Sequence, residues 1–325
     1  MIKTILITGS SGTVGTALVK SLQSSKKYKL TLIDKKKSIW DESINKKTVF
    51  HDLTKPIPKG IIGQKPDLII HLAAHARVHD LVVDPQKALD NYLMTHNLLE
   101  FARMNNTKRF VFASSREVYG ESTSKGKRKE SSTHVTKIKS PYTASKFAAE
   151  ALIHSYGECY GIKPVIVRLS NVYGKYDISE RVIPLFIYYA LRNRHIKVFG
   201  ADKKLDFTYI DDVVTGFEQL IKQYDKIAPD TFNLSGGKGT TILDVAKTIV
   251  KSLDSKSKIS ITKKRVGEIS QYIGDISNAH KKFGYTPKVL VTKGLQLNIE
   301  FYMKIMESKK HLNYQIKELE KRGWA

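Results

Sequence analysis

Thr8-Gly9-Ser10-Ser11-Gly12-Thr13-Val14-Gly15 follows the apolar run Thr4–Thr8 and opens the amphipathic stretch Val14–Leu22; its reading decides the fold. Glycines three residues apart let the backbone turn tightly, approach a pyrophosphate and pack the following helix against the strand. The spacing is G-x-x-G-x-x-G rather than G-x-G-x-x-G. By itself such a stretch is also a plain turn, but between a first strand and a first helix it predicts nucleotide binding. Asp34 closes the second apolar run, 19 residues after Gly15. A carboxylate there accepts hydrogen bonds from an adenosine ribose and repels a 2′-phosphate, which favours NAD over NADP. Lys35–Lys37 follow at once and are the opposing signal, and a strand-end turn residue is the bland alternative.

Working outward, further strands are predicted at Leu30–Asp34, Thr48–Phe50, Leu68–Leu72, Phe110–Ser114 and Val165–Leu169, several of them continuous apolar runs. Helices are predicted at Val14–Leu22, Pro85–Met104 and Tyr142–Tyr160. Within the second of these, Leu89, Leu93, His96, Leu99 and Ala102 keep a near-3.6 spacing and are expected to form its inner face. This alternation predicts an α/β protein with a Rossmann-type doubly wound parallel sheet over residues 1–172. Residues 173–325 are expected to form mainly a smaller mixed α/β substrate lobe, the sheet unit being rejoined at about 206–224. That half reads as helices at Ile183–Asn193, Asp212–Gln223 and Ile242–Leu253, a strand at Thr231–Leu234, and charged helix from Val291 onward. The lysine- and serine-rich stretch Glu121–Lys139 has no periodicity and reads as a loop, either a lid or a mobile connection.

The 325 residues include no apolar run of the roughly 18 that a spanning helix needs, and the N-terminal run gives way to glycine too soon for a signal peptide. One cysteine, Cys159, allows no internal disulfide and fits a reducing compartment, so a cytoplasmic protein is expected. The charge is lopsided: 55 basic against 31 acidic residues, net +24. Only eleven of the basic residues are arginine, and the lysines fall in short scattered runs. That distribution reads as solvated surface, with steering of an anionic small substrate as the second reading; no nucleic acid or membrane partner is expected.

Tyr142-Thr143-Ala144-Ser145-Lys146 sets a phenol and an ammonium four residues apart on one helix face. A free tyrosine, with pKa near 10, is a poor base at neutral pH, and a neighbouring cation favours its phenolate. Such a pair also arises by chance. Its company raises its weight: Ser114-Ser115 closes a strand 27 residues before Tyr142, and the glycine turn stands at the start of the chain. His71, His75 and His79 are spaced by four, but His71 closes a strand, so a shared face and a metal site are not expected.

Taken together, these segments resemble the extended short-chain dehydrogenases/reductases, in the family of NAD-dependent nucleotide-sugar epimerases and dehydratases. The resemblance runs through TGSSGTVG (8–15), Asp52-Leu53, HLAAHARV (71–78), Asn91, SSREVYG (114–120) and SPYTASK (140–146). It continues through RLSNVYG (168–174), RVIP (181–184), DFTYIDDVV (206–214), RVGE (265–268) and GDISNAHKKFGYTPK (274–288). It implies that Gly9, Gly12, Thr13, Val14 and Gly15 approach the pyrophosphate of NAD, Asp34 its adenosine ribose, and Asp52 and Leu53 its adenine. Leu72, Ala73, Ala74, Asn91 and Leu169 would complete the cofactor site. Ser115, Tyr142 and Lys146 would be catalytic, the last two also holding the nicotinamide ribose. Ser115, Glu117, Asn171, Val182, Phe199, Arg265 and Glu268 would bind the nucleotide sugar.

Three departures stand out. Leu205 replaces a diphosphate-gripping arginine of many relatives, leaving Lys203 or Lys204 as substitutes; Lys175 replaces a common proline; and Met94 replaces a common glycine. In addition, Arg116 stands where 4,6-dehydratases carry the acid of an acid–base pair, and arginine cannot donate a proton at neutral pH. Glu117, the position of the base, is present; an ion pair with Arg116 is its bland reading. The implied activity is epimerisation at C4 of a UDP-hexose through a 4-keto intermediate. A 4,6-dehydratase or UDP-glucuronate decarboxylase is the alternative, and a non-catalytic NAD-binding regulator a third. Such proteins often dimerise through two helices, here Pro85–Met104 and Tyr142–Tyr160, so a homodimer is expected.

Overall fold

The computed structural model describes residues 2–121, 126–263 and 269–307. The strands are β1 Thr4–Thr8, β2 Lys29–Asp34, β3 Thr48–Phe50, β4 Leu68–His71, β5 Arg109–Ser115, β6 Lys163–Leu169, β7 Asn171–Tyr173, β8 Ile196–Phe199, β9 Lys204–Tyr209, β10 Asp230–Leu234, β11 Gly239–Thr241, β12 Ile259–Thr262 and β13 Gln271–Tyr272. The helices are α1 Thr13–Ser25, α2 Glu42–Asn45, α3 Val78–Val83, α4 Gln86–Met104, α5 Pro141–Tyr160, α6 Val182–Leu191, α7 Ile210–Ile227, α8 Ile242–Ser252, α9 Ser277–Phe283 and α10 Val291–Glu307.

Seven strands form one parallel sheet in the order β10-β6-β5-β4-β1-β2-β3. Its strands are apolar on both faces because each face carries helices. Along β1, Ile5 and Ile7 join a core with Leu18 of α1 and Phe217 of α7, whereas Leu6 joins the opposite core with Leu98 of α4 and Ile153 of α5. The strand order reverses between β1 and β4, so the crevice outside their carboxyl ends is where a ligand fits an open sheet of this kind. The seventh strand, β10, comes from beyond residue 172; the chain leaves the sheet after β6 and returns to it. In between and afterwards, β9 pairs with β7, β11 and β13, and β8 with β12, to build the smaller lobe.

Local signals fix the helix that matters most. Ser140 caps α5, its hydroxyl accepting from Thr143 N at 3.2 Å; Pro141 opens the first turn, and Gly161 closes the helix in a left-handed conformation at φ 67°. This places Tyr142 in the first turn of α5 and Lys146 one turn on.

Two sequence expectations need correction. The inner face of α4 is formed by Asn91, Met94, Thr95, Leu98, Leu99, Phe101 and Ala102, while Leu89 is exposed. Asn91 and Thr95 are buried because both are hydrogen-bonded, to the loop after β4 and to His71 respectively, and polarity alone misplaced the face. The second concerns the stretch 121–139. From residue 126 it is tied to other segments: Arg128 N donates to Ile273 O at 2.8 Å, Asp275 N donates to Arg128 O at 2.9 Å, and Asn233 N donates to the Glu130 carboxylate at 2.9 Å.

Candidate functional site

The turn between β1 and α1 is shaped by two glycines. Gly9 has φ +73°, and a Cβ there would stand 2.6 Å from Ala73 N; a Cβ on Gly15 would stand 2.0 Å from Gly9 O. The turn therefore lies directly on the end of β4. Gly12 begins α1 with no side-chain cap, which leaves the first amides of the helix for an anion. A cavity of about 420 Å³ opens here, lined by Gly9, Gly12, Thr13, Asp34, Asp52, Leu53, Leu72, Ala73 and Ala74 of the expected residues. Close backbone approach, an uncapped helix start and carboxylates at the far end suit a dinucleotide. Val14 faces the neighbouring cavity instead. Gly15 lines neither, lying under the turn.

Asp34 accepts from Ser11 N and from Lys36 N, each at 2.9 Å, so its carboxylate also ties the lysine loop to the glycine turn. Asn91 is not a wall of either cavity. Its amide accepts from His75 N at 2.8 Å and donates to His75 O and to Ser145 Oγ, holding the loop after β4 against α5. Trp40, Tyr176 and Asp177 line the cavity and were not singled out from the sequence; they belong to connections without periodicity.

A second cavity, of about 310 Å³, shares Leu72, Ala74 and Asp177 with the first. Ser115, Glu117, Tyr142, Lys146, Leu169, Asn171 and Val182 all line it, brought together from β5, α5, β6, β7 and α6. The Ser115 hydroxyl accepts from Glu117 N at 3.2 Å and lies close enough to the Tyr142 phenol to favour its charged form. Burial pushes that phenol above its ordinary value, against the pull of Ser115. The Lys146 ammonium donates to Ala113 O at 2.8 Å and lies over the Phe112 ring, and burial lowers its pKa to about 7, with Glu150 opposing. Glu150 itself takes a bidentate pair from Arg168 and a 2.5 Å bond from Ser114, joining β5, α5 and β6 behind the site.

Arg116 forms a 2.7 Å ion pair with Glu117, their side chains only 11% and 8% exposed. Its Nε donates to Asn171 Oδ1 at 3.0 Å, while Nη1 is buried with no hydrogen-bond partner. Asn171 spends its other amide atom on Asp206 O. Leu205 and Lys203 line the cavity; Lys204 does not. Phe199 ends β8, paired with Thr262, and lines neither cavity, because β8 and β12 form a separate ribbon. Arg265 and Glu268 lie outside the described residues.

His71 is buried between Thr8 Oγ1 (2.8 Å) and Thr95 Oγ1 (3.2 Å), and burial lowers its pKa to about 3, so it is a neutral core residue. His75 is turned to Asp90 at 3.5 Å. No group of metal-ligating side chains occurs among the described residues, and no described helix is long and apolar enough to cross a membrane.

The fold recurs in proteins of known structure. The UDP-glucose 4-epimerase of Thermotoga maritima, solved with UDP-glucose, superposes with a TM-score of 0.85 at 27% identity, covering 93% of this chain and 99% of that one. The UDP-glucuronic acid 4-epimerase of Bacillus cereus, solved with UDP-glucuronic acid and NAD, gives 0.86 at 25% identity over 93% and 99%. In sequence, dTDP-glucose 4,6-dehydratase 1 of Escherichia coli is 27% identical over 335 residues, 92% of each chain. The profile of the NAD-dependent epimerase/dehydratase family matches residues 5–235, from β1 through β10, and with the glycine turn, the first cavity and the Tyr142–Lys146 pair inside that span, the chain belongs to this NAD-dependent family.

Proposed function

We propose that this protein is an NAD-dependent epimerase of a nucleotide-diphosphate sugar, acting at C4 of a UDP-hexose. The observation that carries the reading is the second cavity's combination of Ser115, Tyr142 and Lys146 with an Arg116–Glu117 ion pair. Oxidation at C4 needs a group to take the hydroxyl proton, and the Tyr142 phenol lines the cavity with the Ser115 hydroxyl beside it. Bound NAD supplies the hydride acceptor and a positive ring beside the phenol. Tyr142 takes the C4 hydroxyl proton through or beside Ser115 and returns it to the C4 oxygen once the 4-keto sugar has turned, while the hydride would go back to the opposite face of C4. Lys146 lies next to this path and anchors the helix to β5 through Ala113 O. Elimination would further need a free acid and base. Here the base position is tied to a guanidinium and the acid position is that guanidinium, which supports epimerisation.

Glu117 does line the cavity, and this one fact favours the second reading, a 4,6-dehydratase. Incubation with UDP- and dTDP-hexoses, followed by mass spectrometry and NMR of the products, separates them. Unchanged mass with inverted C4 supports the epimerase, and loss of water replaces it with the dehydratase. Lys203 is the substitute we assign for the diphosphate arginine absent at Leu205, since it faces the cavity and Lys204 does not. The NAD-binding unit is placed at residues 1–172 with the returning segment, and the sugar-nucleotide lobe mainly at 173–325. A homodimer through α4 and α5 fits the exposed Leu89, Met104 and Tyr160 on those helices, with Val82 and Val83 of α3 beside them.

A further inference from the structure

The wall shared by the two cavities contains Leu72, Ala74 and one charge, Asp177. Asp177 is 1% exposed. Its Oδ1 accepts from Ser179 N at 2.9 Å, while Oδ2 is buried with no hydrogen-bond partner. The nearest cation among the described residues is Arg181, whose Nη1 lies 4.0 Å away, beyond hydrogen-bond reach; its Nη2 is 3.4 Å from Ala76 O. The segment around Asp177 is built rather than loose. Tyr176 takes a left-handed φ of 69° and its ring packs edge-on against Trp40 and Phe301, and the Asp177 carbonyl accepts from the Tyr302 hydroxyl. A carboxylate oxygen held in so dry a place without a donor is costly unless a ligand supplies positive charge or a hydrogen.

The path of the cofactor names that ligand. A dinucleotide with its adenosine near Asp34 and Asp52 and its pyrophosphate on the glycine turn reaches Tyr142 only by crossing the shared wall. The part that crosses is the nicotinamide riboside. The ring is a cation when oxidised and neutral when reduced.

We infer that Asp177 is the counter-ion of the oxidised nicotinamide, so that this protein binds NAD⁺ in preference to NADH. The inference rests on NAD binding and not on which sugar reaction follows. Where the reaction is the proposed epimerisation, the same charge favours return of the hydride to the keto sugar, because giving it up restores the cation beside the carboxylate.

The test is a pair of binding titrations, NAD⁺ and NADH, on the full chain stripped of nucleotide. Asp177→Asn keeps an oxygen for Ser179 N and removes the charge. The ratio of NADH to NAD⁺ dissociation constants falls about 10–100-fold, less than the roughly thousandfold of an unshared pair of unit charges about 4 Å apart at an effective dielectric of about 20, because the Arg181 guanidinium offsets part of the carboxylate's charge. NADH affinity itself stays within about threefold. Equal loss for both nucleotides would mean a neutral ribose contact or a disordered segment and overturns the inference, as does no change. Arg181→Met guards against a variant that does not fold. It removes the nearby guanidinium and leaves Asp177 in place, so the NAD⁺ preference sharpens, and an unchanged ratio overturns the inference whatever the Asn variant does.

Discussion

Glu117→Gln is the substitution at which the two enzymatic readings part. From sequence alone, loss of a solvated ion pair would cost about 0–1 kcal/mol. The structure changes that figure, because the Arg116–Glu117 pair is nine-tenths buried and 2.7 Å long. Removing one partner of a buried pair outright costs about 3–5 kcal/mol. Glutamine still offers a carbonyl oxygen to Arg116, so the loss is nearer that of one charge-assisted hydrogen bond, about 1.5–3 kcal/mol. At an unfolding entropy of about 2.1 cal/mol/K per residue, this lowers the melting temperature by about 2–4 °C.

Chemistry is read separately from stability, on folded protein below that temperature. An epimerase has no C5 proton to abstract, so turnover for C4 inversion stays within about threefold of wild type. In a dehydratase the variant forms the 4-keto sugar and stops, and the near-ultraviolet absorbance of reduced nicotinamide accumulates on the protein in a single turnover. That accumulation, or a loss of turnover of about a hundredfold or more, typical of a missing general base, would refute the epimerase argument. A stability loss below about 0.5 kcal/mol in urea titration would refute the account of the ion pair instead.

Tyr142→Phe deletes one hydroxyl from a buried helix start; turnover falls about 10²–10⁴-fold while calorimetric NAD affinity stays within a few-fold of wild type. Asp206 accepts from Gly236 N, Gly237 N and Gly274 N, and Asp206→Asn, keeping one acceptor atom, lowers urea-measured stability by about 1–3 kcal/mol. Burial raises the Asp206 carboxyl to about 6, so the folded chain holds its proton more tightly than the unfolded one. That share of stability is full below about pH 4 and lost as pH rises through about 6, so the wild type's margin over Asp206→Asn shrinks across that window. Leu89→Lys places a charge on the exposed face of α4, and if the proposed homodimer forms through α4 and α5, sedimentation at micromolar concentration registers a shift from dimer to monomer; an unchanged mass overturns that interface.

How far the sequence could be read depended on whether a residue's task was local. The glycine turn was legible because Gly9 and Gly15 answer to clashes with Ala73 and with each other, which forbid any side chain. Helix α5 was legible because Ser140, Pro141 and Gly161 mark both of its ends. Tyr142 and Lys146 followed from a four-residue spacing on that helix. What spacing could not supply was the direction in which a charge points. Lys146 aims at the Ala113 carbonyl, and only the packing of β5 under α5 reveals this. Likewise Arg116 and Glu117 are neighbours in any conformation, but the short turn after β5 carries both into the wall of a cavity and turns an ordinary ion pair into a buried one. Asn91 lies on a helix face that hydrophobic spacing assigned elsewhere, because its amide answers to His75 and Ser145, residues far from it in the chain. Asp177 sits in a connection with no period at all, and nothing short of the meeting of two cavities distinguishes it from other loop aspartates. The residues of this candidate site therefore divide in two: Ser115, Tyr142 and Lys146 are announced by motifs, whereas the contacts of Arg116, Asn91 and Asp177 are placed by tertiary packing.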